Sequence, residues 1–217
     1  MLFYIVRHGE TRSNVEGRLQ GWIDDPLNEN GTALAKVTGR GLQGVRFGRC
    51  ITSPLRRAYQ TAQTVLEESG NVSVPIETED RIREIHMGEW EGRRISPRFG
   101  EVDQEMMRLF FTDPFRFPGF PGGEKVTDVC QRTQDFLREL AREGKEEETC
   151  LLVTHGVALR SMLNFLYDDP ADFWHGHVPY NCAVNIVSFR DGQWRLLADD
   201  RLYYEREAAV DRYAAFR

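Results

Sequence analysis

The feature that most constrains the fold is an apolar run at the start of the chain, residues 2–6, which is followed directly by Arg7, His8 and Gly9. A short continuous apolar run of this kind is typical of a strand buried inside a sheet. Such a strand would deliver Arg7 and His8 to its carboxyl end, the edge at which open α/β sheets bind ligands. Gly9 would allow the backbone to turn sharply there.

The same arrangement recurs far along the chain. Residues 149–153 form a second apolar run, and Thr154, His155 and Gly156 follow it before a predicted helix over residues 157–167. The two runs therefore predict that His8 and His155 lie at the same edge of one sheet.

Strand-like and helix-like segments alternate along the chain, which predicts a sheet covered by helices. Helices are predicted over 28–42 with Asn28 as N-cap, over 53–68 with Ser53 as N-cap and Pro54 as first helical residue, and over 124–142. Short strands are predicted at 50–52 and 74–76, and a hairpin at 183–189 and 194–197 turns at Asp191-Gly192. The predicted fold class is α/β, a three-layer α/β/α sandwich with a mostly parallel central sheet.

The 217 residues are predicted to form a single domain, 1–217, with an insertion at about 93–121 that covers the site. Four prolines and six phenylalanines interleave in that insertion, and no regular period is visible. Its aromatic residues are expected to form a cover and to influence the choice of substrate. Residues 205–217 are expected to form a short helix or an ordered tail.

The net charge of −6 argues against a protein that binds nucleic acid or a membrane surface, since such proteins usually carry a basic excess. Because no leader and no apolar run of roughly 18 residues is visible, a soluble cytoplasmic protein is predicted. His86 and His177 are predicted to be structural. The four cysteines are widely spaced, which indicates neither a zinc site nor a disulfide scaffold; they are Cys50, Cys130, Cys150 and Cys182.

Four segments resemble the motifs of the histidine phosphatase superfamily, which includes the cofactor-dependent phosphoglycerate mutases. They are Arg7-His8-Gly9-Glu10-Thr11 with Asn14, Ser53-Pro54-Leu55-Arg56-Arg57-Ala58, Arg83-Glu84 before Gly88-Glu89-Trp90-Glu91-Gly92, and Thr154-His155-Gly156. The resemblance implies a phosphohistidine on His8 and a proton donor in Glu84. It also implies that the phosphoryl group is bound by Arg7, Arg57, His155 and Asn14, with Gly156 beside it, and it makes Gln20 and Gly21 candidate substrate contacts. Arg56 is expected to face solvent.

These residue types suit phosphoryl transfer for physical reasons. Guanidinium groups stay charged and offer a planar fork of donors to phosphate oxygens, so neither a metal nor another cofactor is expected. The charges of Arg7 and Arg57 favour the neutral, nucleophilic form of His8. Glu84 could donate a proton if partial burial raises its pKa. A backbone carbonyl is a common acceptor for the second nitrogen of a nucleophilic histidine, but the sequence does not identify it.

The expected activity is a phosphomonoester hydrolase, with a small phosphoester as substrate and inorganic phosphate as product. A phosphoglycerate mutase is the alternative, but mutases of this family are typically longer and carry tyrosine where this chain has Ile23. The cover and the Pro121-Gly122-Gly123-Glu124 run look more like the phosphatase branch, which includes broad-specificity and α-ribazole phosphatases. A phosphate-binding module without turnover and a metal-dependent phosphatase are further alternatives. No motif indicates an oligomeric state.

Overall fold

The computed structural model of the chain describes residues 1–96 and 100–205. Its strands are β1 (Leu2–Arg7), β2 (Arg49–Thr52), β3 (Ile76–Thr78), β4 (Thr149–Thr154), β5 (Val184–Arg190) and β6 (Gln193–Arg201). They form one six-stranded sheet in the order β3-β2-β4-β1-β5-β6. The first four strands are mutually parallel, and β5 and β6 are antiparallel additions at one side. The prediction of an α/β fold with a mostly parallel sheet is confirmed.

Helices cover both faces of this sheet. They are α1 (Arg12–Glu16), α2 (Glu29–Gly41), α3 (Arg56–Ser69), α4 (Gln104–Thr112), α5 (Val126–Glu143) and α6 (Gly156–Leu163). On one face, Phe3 and Ile5 of β1 pack with apolar residues of α5 and α6. On the other face, Val6 packs with apolar residues of α3. The alternation along β1 therefore places a separate core on each side of the sheet.

Aromatic side chains build a third core above the carboxyl ends of β1 and β4. Phe110 packs its ring within 5.2 Å of both Phe117 and Phe120, measured between centroids. Trp174 joins from a later part of the chain, and its Nε1 donates to the Phe110 carbonyl oxygen over 3.1 Å. The predicted cover is thus stabilised from two directions. Its centre is the helix α4, which the proline-rich sequence did not indicate.

Several predicted boundaries differ from the structure. Ser53 is not the N-cap of α3, which begins at Arg56 after Leu55. The Ser53 hydroxyl lies 2.8 Å from His155 Nε2, and it accepts the Leu55 N–H ahead of the helix over 3.4 Å. β3 lies two residues later than predicted and β6 is longer at both ends. α6 ends at Leu163 and is followed by a 3₁₀ turn, Asn164–Leu166. Asn28 caps α2 as predicted, since its side chain accepts the Gly31 N–H.

Parts of the insertion and of the predicted tail are not among the described residues. Pro97 and Phe99 of the insertion, and residues 206–217 of the predicted tail, are outside the described residues. Within the described part, no helix combines the length and the apolar character needed to cross a membrane. All four cysteines are free thiols, and they are buried or half-buried.

Candidate active site

A cavity of about 50 Å³ lies at the carboxyl ends of β1 and β4, beneath the aromatic cover. Its polar wall is formed by Arg7, His8, Asn14, Gln20 and Glu84, with Gly156 beside them. The rest of its wall is apolar, and consists of Leu19, Met87, Phe110, Phe111, Val157, Trp174 and Val178. A larger open groove of about 450 Å³ lies at the opposite end of the sheet, and none of the predicted site residues lines it.

His8 is 3% exposed and is oriented by the residue that follows it. Its Nδ1 lies 2.7 Å from the Gly9 carbonyl oxygen, which can only accept a hydrogen bond. Nδ1 therefore carries the proton, and Nε2 keeps its lone pair. Burial, reinforced by the charges of Arg57 and Arg7, holds the pKa of His8 well below its usual value. The result is a neutral imidazole with a free nucleophilic nitrogen, and the carbonyl that orients it is identified.

The Gly9 turn is fixed by close contacts between backbone segments. A Cβ at Gly9 would lie 2.6 Å from the Gly31 carbonyl oxygen, so a larger residue would displace α2. The Gly9 N–H donates to Thr61 Oγ1 over 2.9 Å, and that hydroxyl donates to the Arg57 carbonyl oxygen over 2.7 Å. The turn after β1 is therefore tied to the first turns of α3.

Arg7 presents a guanidinium with unused donors to the cavity. Its Nη1 donates to the Pro179 carbonyl oxygen, and its buried Nε has no partner among the described residues. A buried donor without a partner is costly unless a ligand supplies the acceptor. A Cβ at Gly156 would lie 3.6 Å from Arg7 Nε and 3.7 Å from Glu84 Oε2. The space beside Gly156 is therefore bordered by a cation and a carboxyl group.

Arg57 is fully buried and is held by the loop that contains Gln20 and Gly21. Its Nη2 donates to the Gly21 carbonyl oxygen over 2.7 Å, and its Nη1 donates to that of Ile23 over 2.7 Å. Burial lowers the pKa of Arg57 to about 10, which leaves it charged at neutral pH. Arg57 does not line the cavity in this structure, because the 20–23 loop occupies its donors.

His155 has protein partners on both ring nitrogens. Nδ1 accepts from Arg57 Nε over 3.1 Å, so the proton is on Nε2, which lies 2.8 Å from Ser53 Oγ. Burial and the Arg57 charge hold the pKa of His155 well below its usual value. Its ring centroid is 5.1 Å from that of His8. The structure thus brings His155 next to His8, but not into the lining of the cavity.

Glu84 is 6% exposed and points at the first turn of α6. Its carboxyl oxygens accept the N–H groups of Ile85, Val157 and Ala158 over 2.9, 3.2 and 3.0 Å. These hydrogen bonds favour the charged form, but burial outweighs them and raises the pKa of Glu84. The burial is nearly complete rather than partial. Glu84 is therefore held rigidly in the cavity wall and takes up a proton more readily than an exposed glutamate.

The remaining predicted contacts differ in their position relative to the cavity; they are Asn14, Gln20 and Gly21. Asn14 Oδ1 accepts the Thr11 N–H over 3.1 Å, which leaves the amide Nδ2 as the donor for a ligand. The Gln20 side chain lines the cavity but is bonded to Thr11 and Asp25. Gly21 is outside the lining, and a Cβ there would lie 2.3 Å from Glu91 Oε1. Close packing against Glu91 therefore favours glycine at position 21.

Other residues support the site but were not predicted to belong to it. Glu91 accepts the N–H groups of Trp22, Ile23 and Met87 and so fixes the 20–23 loop. Asn181 donates to the His8 carbonyl oxygen over 2.9 Å. Ser53 and Glu91 lie inside the recognised motifs, but Asn181 and Pro179 lie in a segment with no motif.

The two histidines predicted to be structural lie outside the cavity lining. The His86 ring packs against Trp22 at 4.6 Å, and His177 Nε2 lies 2.9 Å from Asp200 Oδ2. Arg56 is exposed, as expected. Across residues 1–96 and 100–205, no three His, Cys, Asp or Glu side chains are grouped so that they could hold a metal ion.

Comparison with known proteins gives consistent matches over nearly the whole chain. A family model described as the histidine phosphatase superfamily (branch 1) matches residues 3–199. A probable phosphoglycerate mutase GpmB of Yersinia pestis (strain Pestoides F) is 32% identical over 194 residues, which cover 88% of this chain and 86% of the relative.

Two solved structures are also similar. YhfR of Bacillus stearothermophilus matches with a TM-score of 0.83 and 34% identity, covering 93% of this chain and 97% of that chain. The mycobacterial glucosyl-3-phosphoglycerate phosphatase Rv2419c, in complex with VO3, matches with a TM-score of 0.77 and 27% identity. That match covers 92% of this chain and 98% of the other.

Proposed function

The chain belongs to branch 1 of the histidine phosphatase superfamily, a family of phosphotransfer enzymes, and from that premise we propose that it is a metal-independent phosphomonoester hydrolase. In this proposal His8 is the nucleophile and Glu84 the proton donor. The observation that carries it is the contact of His8 Nδ1 with the Gly9 carbonyl oxygen, which directs a neutral Nε2 lone pair to the cavity.

In the first step, Nε2 of His8 attacks phosphorus, and the bond from phosphorus to the ester oxygen breaks. Glu84 gives its proton to the departing oxygen, so the alcohol leaves neutral. Arg7 Nε and the Asn14 amide donate to the equatorial oxygens, where charge is spread in the transition state. The products are the alcohol and a phosphohistidine.

In the second step, a water molecule attacks phosphorus and gives its proton to the Glu84 carboxylate. The bond between phosphorus and Nε2 breaks, its electron pair returns to the imidazole, and inorganic phosphate leaves. In this proposal Arg57 keeps positive potential behind His8 and fixes the loop at 20–23. The neutral His155 orients Arg57 by accepting a hydrogen bond from its Nε. Arg57 can contact the phosphoryl group only after its hydrogen bonds to the 20–23 loop rearrange. His155 can do so only after its contact with Ser53 rearranges.

The composition of the cavity wall favours hydrolysis over a mutase reaction. A phosphoglycerate mutase must hold a carboxylate in addition to the phosphoryl group, which calls for a second cation. Among the described residues that line the cavity, Arg7 is the one arginine or lysine, and seven apolar side chains form the rest of the wall. The similar proteins include both a probable mutase and a phosphatase, so the two activities must be measured side by side.

The test is an assay of wild type, His8→Ala and His86→Ala on p-nitrophenyl phosphate in the presence of a chelator, with isomerisation of 3-phosphoglycerate followed in parallel. His86→Ala is the matched control, since His86 packs on Trp22 outside the cavity. We expect His8→Ala to lower hydrolysis at least about 10³-fold and the control to stay within about 3-fold of wild type.

Three results would contradict the proposal. Fast isomerisation with little phosphate release would identify a mutase. Loss of wild-type hydrolysis on chelation would indicate a metal-dependent phosphatase. Phosphate binding without either reaction would indicate a binding module.

A further inference from the structure

Arg160 lies in α6, four residues after the Thr154-His155-Gly156 motif, and it has no role in the proposed mechanism. Its side chain is fully buried in α6. Burial of a guanidinium requires opposite charge and hydrogen-bond acceptors close by. Its Nη2 lies 2.6 Å from Asp200 Oδ2, and its Nη1 lies 3.2 Å from Asp199 Oδ1.

Asp200 is shared between Arg160 and a second basic side chain. The same oxygen, Oδ2, lies 2.9 Å from His177 Nε2, and Oδ1 accepts from Asn185 Nδ2 over 3.3 Å. Burial opposes the ionisation of Asp200, but the contacts with His177 and Arg160 hold its pKa below its usual value. Asp200 therefore places a fixed negative charge between α6 and the segment that contains His177.

That segment, residues 174–182, leads into β5 and carries much of the site. It supplies the side chains of Trp174 and Val178 to the cavity wall, the Pro179 carbonyl to Arg7, and the Asn181 amide to the His8 carbonyl. No helix or strand stabilises residues 174–182 internally. Its position must therefore come from contacts such as those of His177.

The buried pair contacts both the side chain and the backbone of His177. Asp200 contacts its ring, and Arg160 Nη2 lies 3.4 Å from its carbonyl oxygen. Pro179, two residues later, provides the protein acceptor for the Arg7 guanidinium. Asp200 is therefore linked to Arg7 through the His177 ring and the two residues of backbone that lead from His177 to Pro179.

We propose that Asp200, together with Arg160 and His177, is a positioning residue that fixes the direction in which Arg7 presents its free donors to the phosphoryl group. The proposal rests on the hydrolase function given above. Arg7 has a flexible side chain, and phosphoryl transfer gains from a guanidinium held in place before the substrate arrives. A shift of the Pro179 carbonyl would turn Arg7 Nε away from the space beside Gly156.

The experiment compares Asp200→Asn and His177→Phe in the wild-type background and in an Arg7→Ala background, with p-nitrophenyl phosphate as substrate. His177→Phe keeps the ring that stacks on Tyr180 and removes the nitrogen that faces Asp200. We expect each variant to lower kcat/KM between about 10-fold and 100-fold when Arg7 is present. In the Arg7→Ala background the further loss should stay within about 2-fold, because the residue through which they act is gone.

Asp199→Asn is the matched control. Asp199 also contacts Arg160, but its side chain is 38% exposed, and its carboxylate accepts from Arg160 and Tyr167, whereas the His177 ring faces Asp200. Its kcat/KM should stay within about 3-fold of wild type, since exposed charge pairs contribute little. If Asp200→Asn does not fold, as judged by its circular dichroism spectrum, His177→Phe decides the question, because it leaves the Arg160–Asp200 pair intact.

Equal losses in both backgrounds would overturn the proposal, because they would indicate general damage rather than an effect through Arg7. Unchanged kcat/KM in both variants would also overturn it. Calorimetric titration with inorganic phosphate separates this outcome from failure of the hydrolase proposal. If wild type binds phosphate but does not hydrolyse esters, a weaker affinity in His177→Phe still supports positioning of Arg7, and an unchanged affinity rejects it.

Discussion

Burial acts on both titratable side chains of the cavity in the direction that the chemistry needs. It lowers the pKa of His8, together with the charges of Arg57 and Arg7, and it raises the pKa of Glu84 against three backbone hydrogen bonds. A histidine must be neutral to attack, and a carboxyl group must be protonated to act as an acid. Burial in the same cavity wall therefore favours both the neutral, nucleophilic form of His8 and the protonated form of Glu84.

The pH dependence of hydrolysis follows from these two shifts. As pH rises through the raised pKa of Glu84, the proton donor is lost, so kcat/KM for an alkyl phosphomonoester should fall on the alkaline side. As pH falls through 6.5, His8 should stay neutral because its pKa is lowered. No loss of activity from protonation of the nucleophile is expected there. The measurement is kcat/KM as a function of pH. A decline centred near pH 6.5 on acidification would contradict the expectation that His8 stays neutral.

Glu84→Gln should separate the role of the acid from that of the nucleophile. With an alkyl leaving group we expect kcat to fall about 10²- to 10⁴-fold, the usual contribution of a general acid. With p-nitrophenyl phosphate the loss should be much smaller, because p-nitrophenolate leaves without a proton. The two substrates are compared in single-turnover assays that follow release of the alcohol. Equal losses for both leaving groups would remove Glu84 from the role of proton donor.

At the scale of elements, the site depends on loops that are fixed by side chains from other loops. The 20–23 loop supplies the carbonyl oxygens that hold Arg57, and Glu91 in turn accepts N–H groups from Trp22 and Ile23. Glu91 also accepts the Met87 N–H over 3.0 Å. A single carboxylate therefore joins the segment after α1 to the segment after Glu84.

Glu91→Ala should weaken both folding and catalysis. Removal of the carboxylate leaves three backbone N–H groups without their acceptor, and each hydrogen bond to a charged group contributes about 1.5–3 kcal/mol. We expect a loss of at least about 2 kcal/mol in the free energy of unfolding, measured by urea denaturation. The kcat should fall as well, because the Arg57 acceptors lose their support. Glu89→Ala, an exposed carboxylate two residues away, is the control and should leave both quantities unchanged.

The strands and helices that follow a clear apolar pattern could be predicted from the sequence, and the elements that depend on tertiary contacts could not. β1 and β4 are uninterrupted apolar runs, and Asn28 is a strong capping residue. α4 lies among prolines, and its helical form depends on packing of Phe110 and Phe111 under Trp174. Ser53 is a residue type that often caps helices, but its hydroxyl contacts the His155 ring, and α3 begins at Arg56. A competing tertiary partner is invisible in local sequence.

At the scale of the whole molecule, the candidate site draws its residues from several segments that are distant in the sequence. Recognised motifs predicted Arg7, His8, Glu84 and His155, because those residue types have a specific chemistry at a strand end or turn. The residues that orient them could not be predicted. Pro179 contributes its carbonyl oxygen, and Asn181 donates hydrogen bonds from its side-chain amide to the His8 carbonyl oxygen and to Asn14 Oδ1. Neither role restricts the neighbouring sequence.

The positive charge of the cavity is supplied by the chain itself, and this predicts how the enzyme responds to metal removal. Arg7 lines the cavity and Arg57 lies behind it, and both remain charged at neutral pH. We expect kcat to stay within about 1.5-fold after dialysis against a chelator, compared with a sample dialysed against buffer alone. Restoration of lost activity by one divalent cation, and not by others, would contradict this prediction.

The position of β1 in the middle of the sheet has a consequence for synthesis of the chain on the ribosome. β1 is made first, but its neighbours β4 and β5 begin at residues 149 and 184. At about 5–20 residues per second, the first neighbour follows after roughly 7–30 s. For that interval an apolar strand with two unpaired edges emerges without either partner. Nascent chains of this protein therefore depend on whatever shields β1 during translation, and slower codons before residue 149 would prolong the exposure.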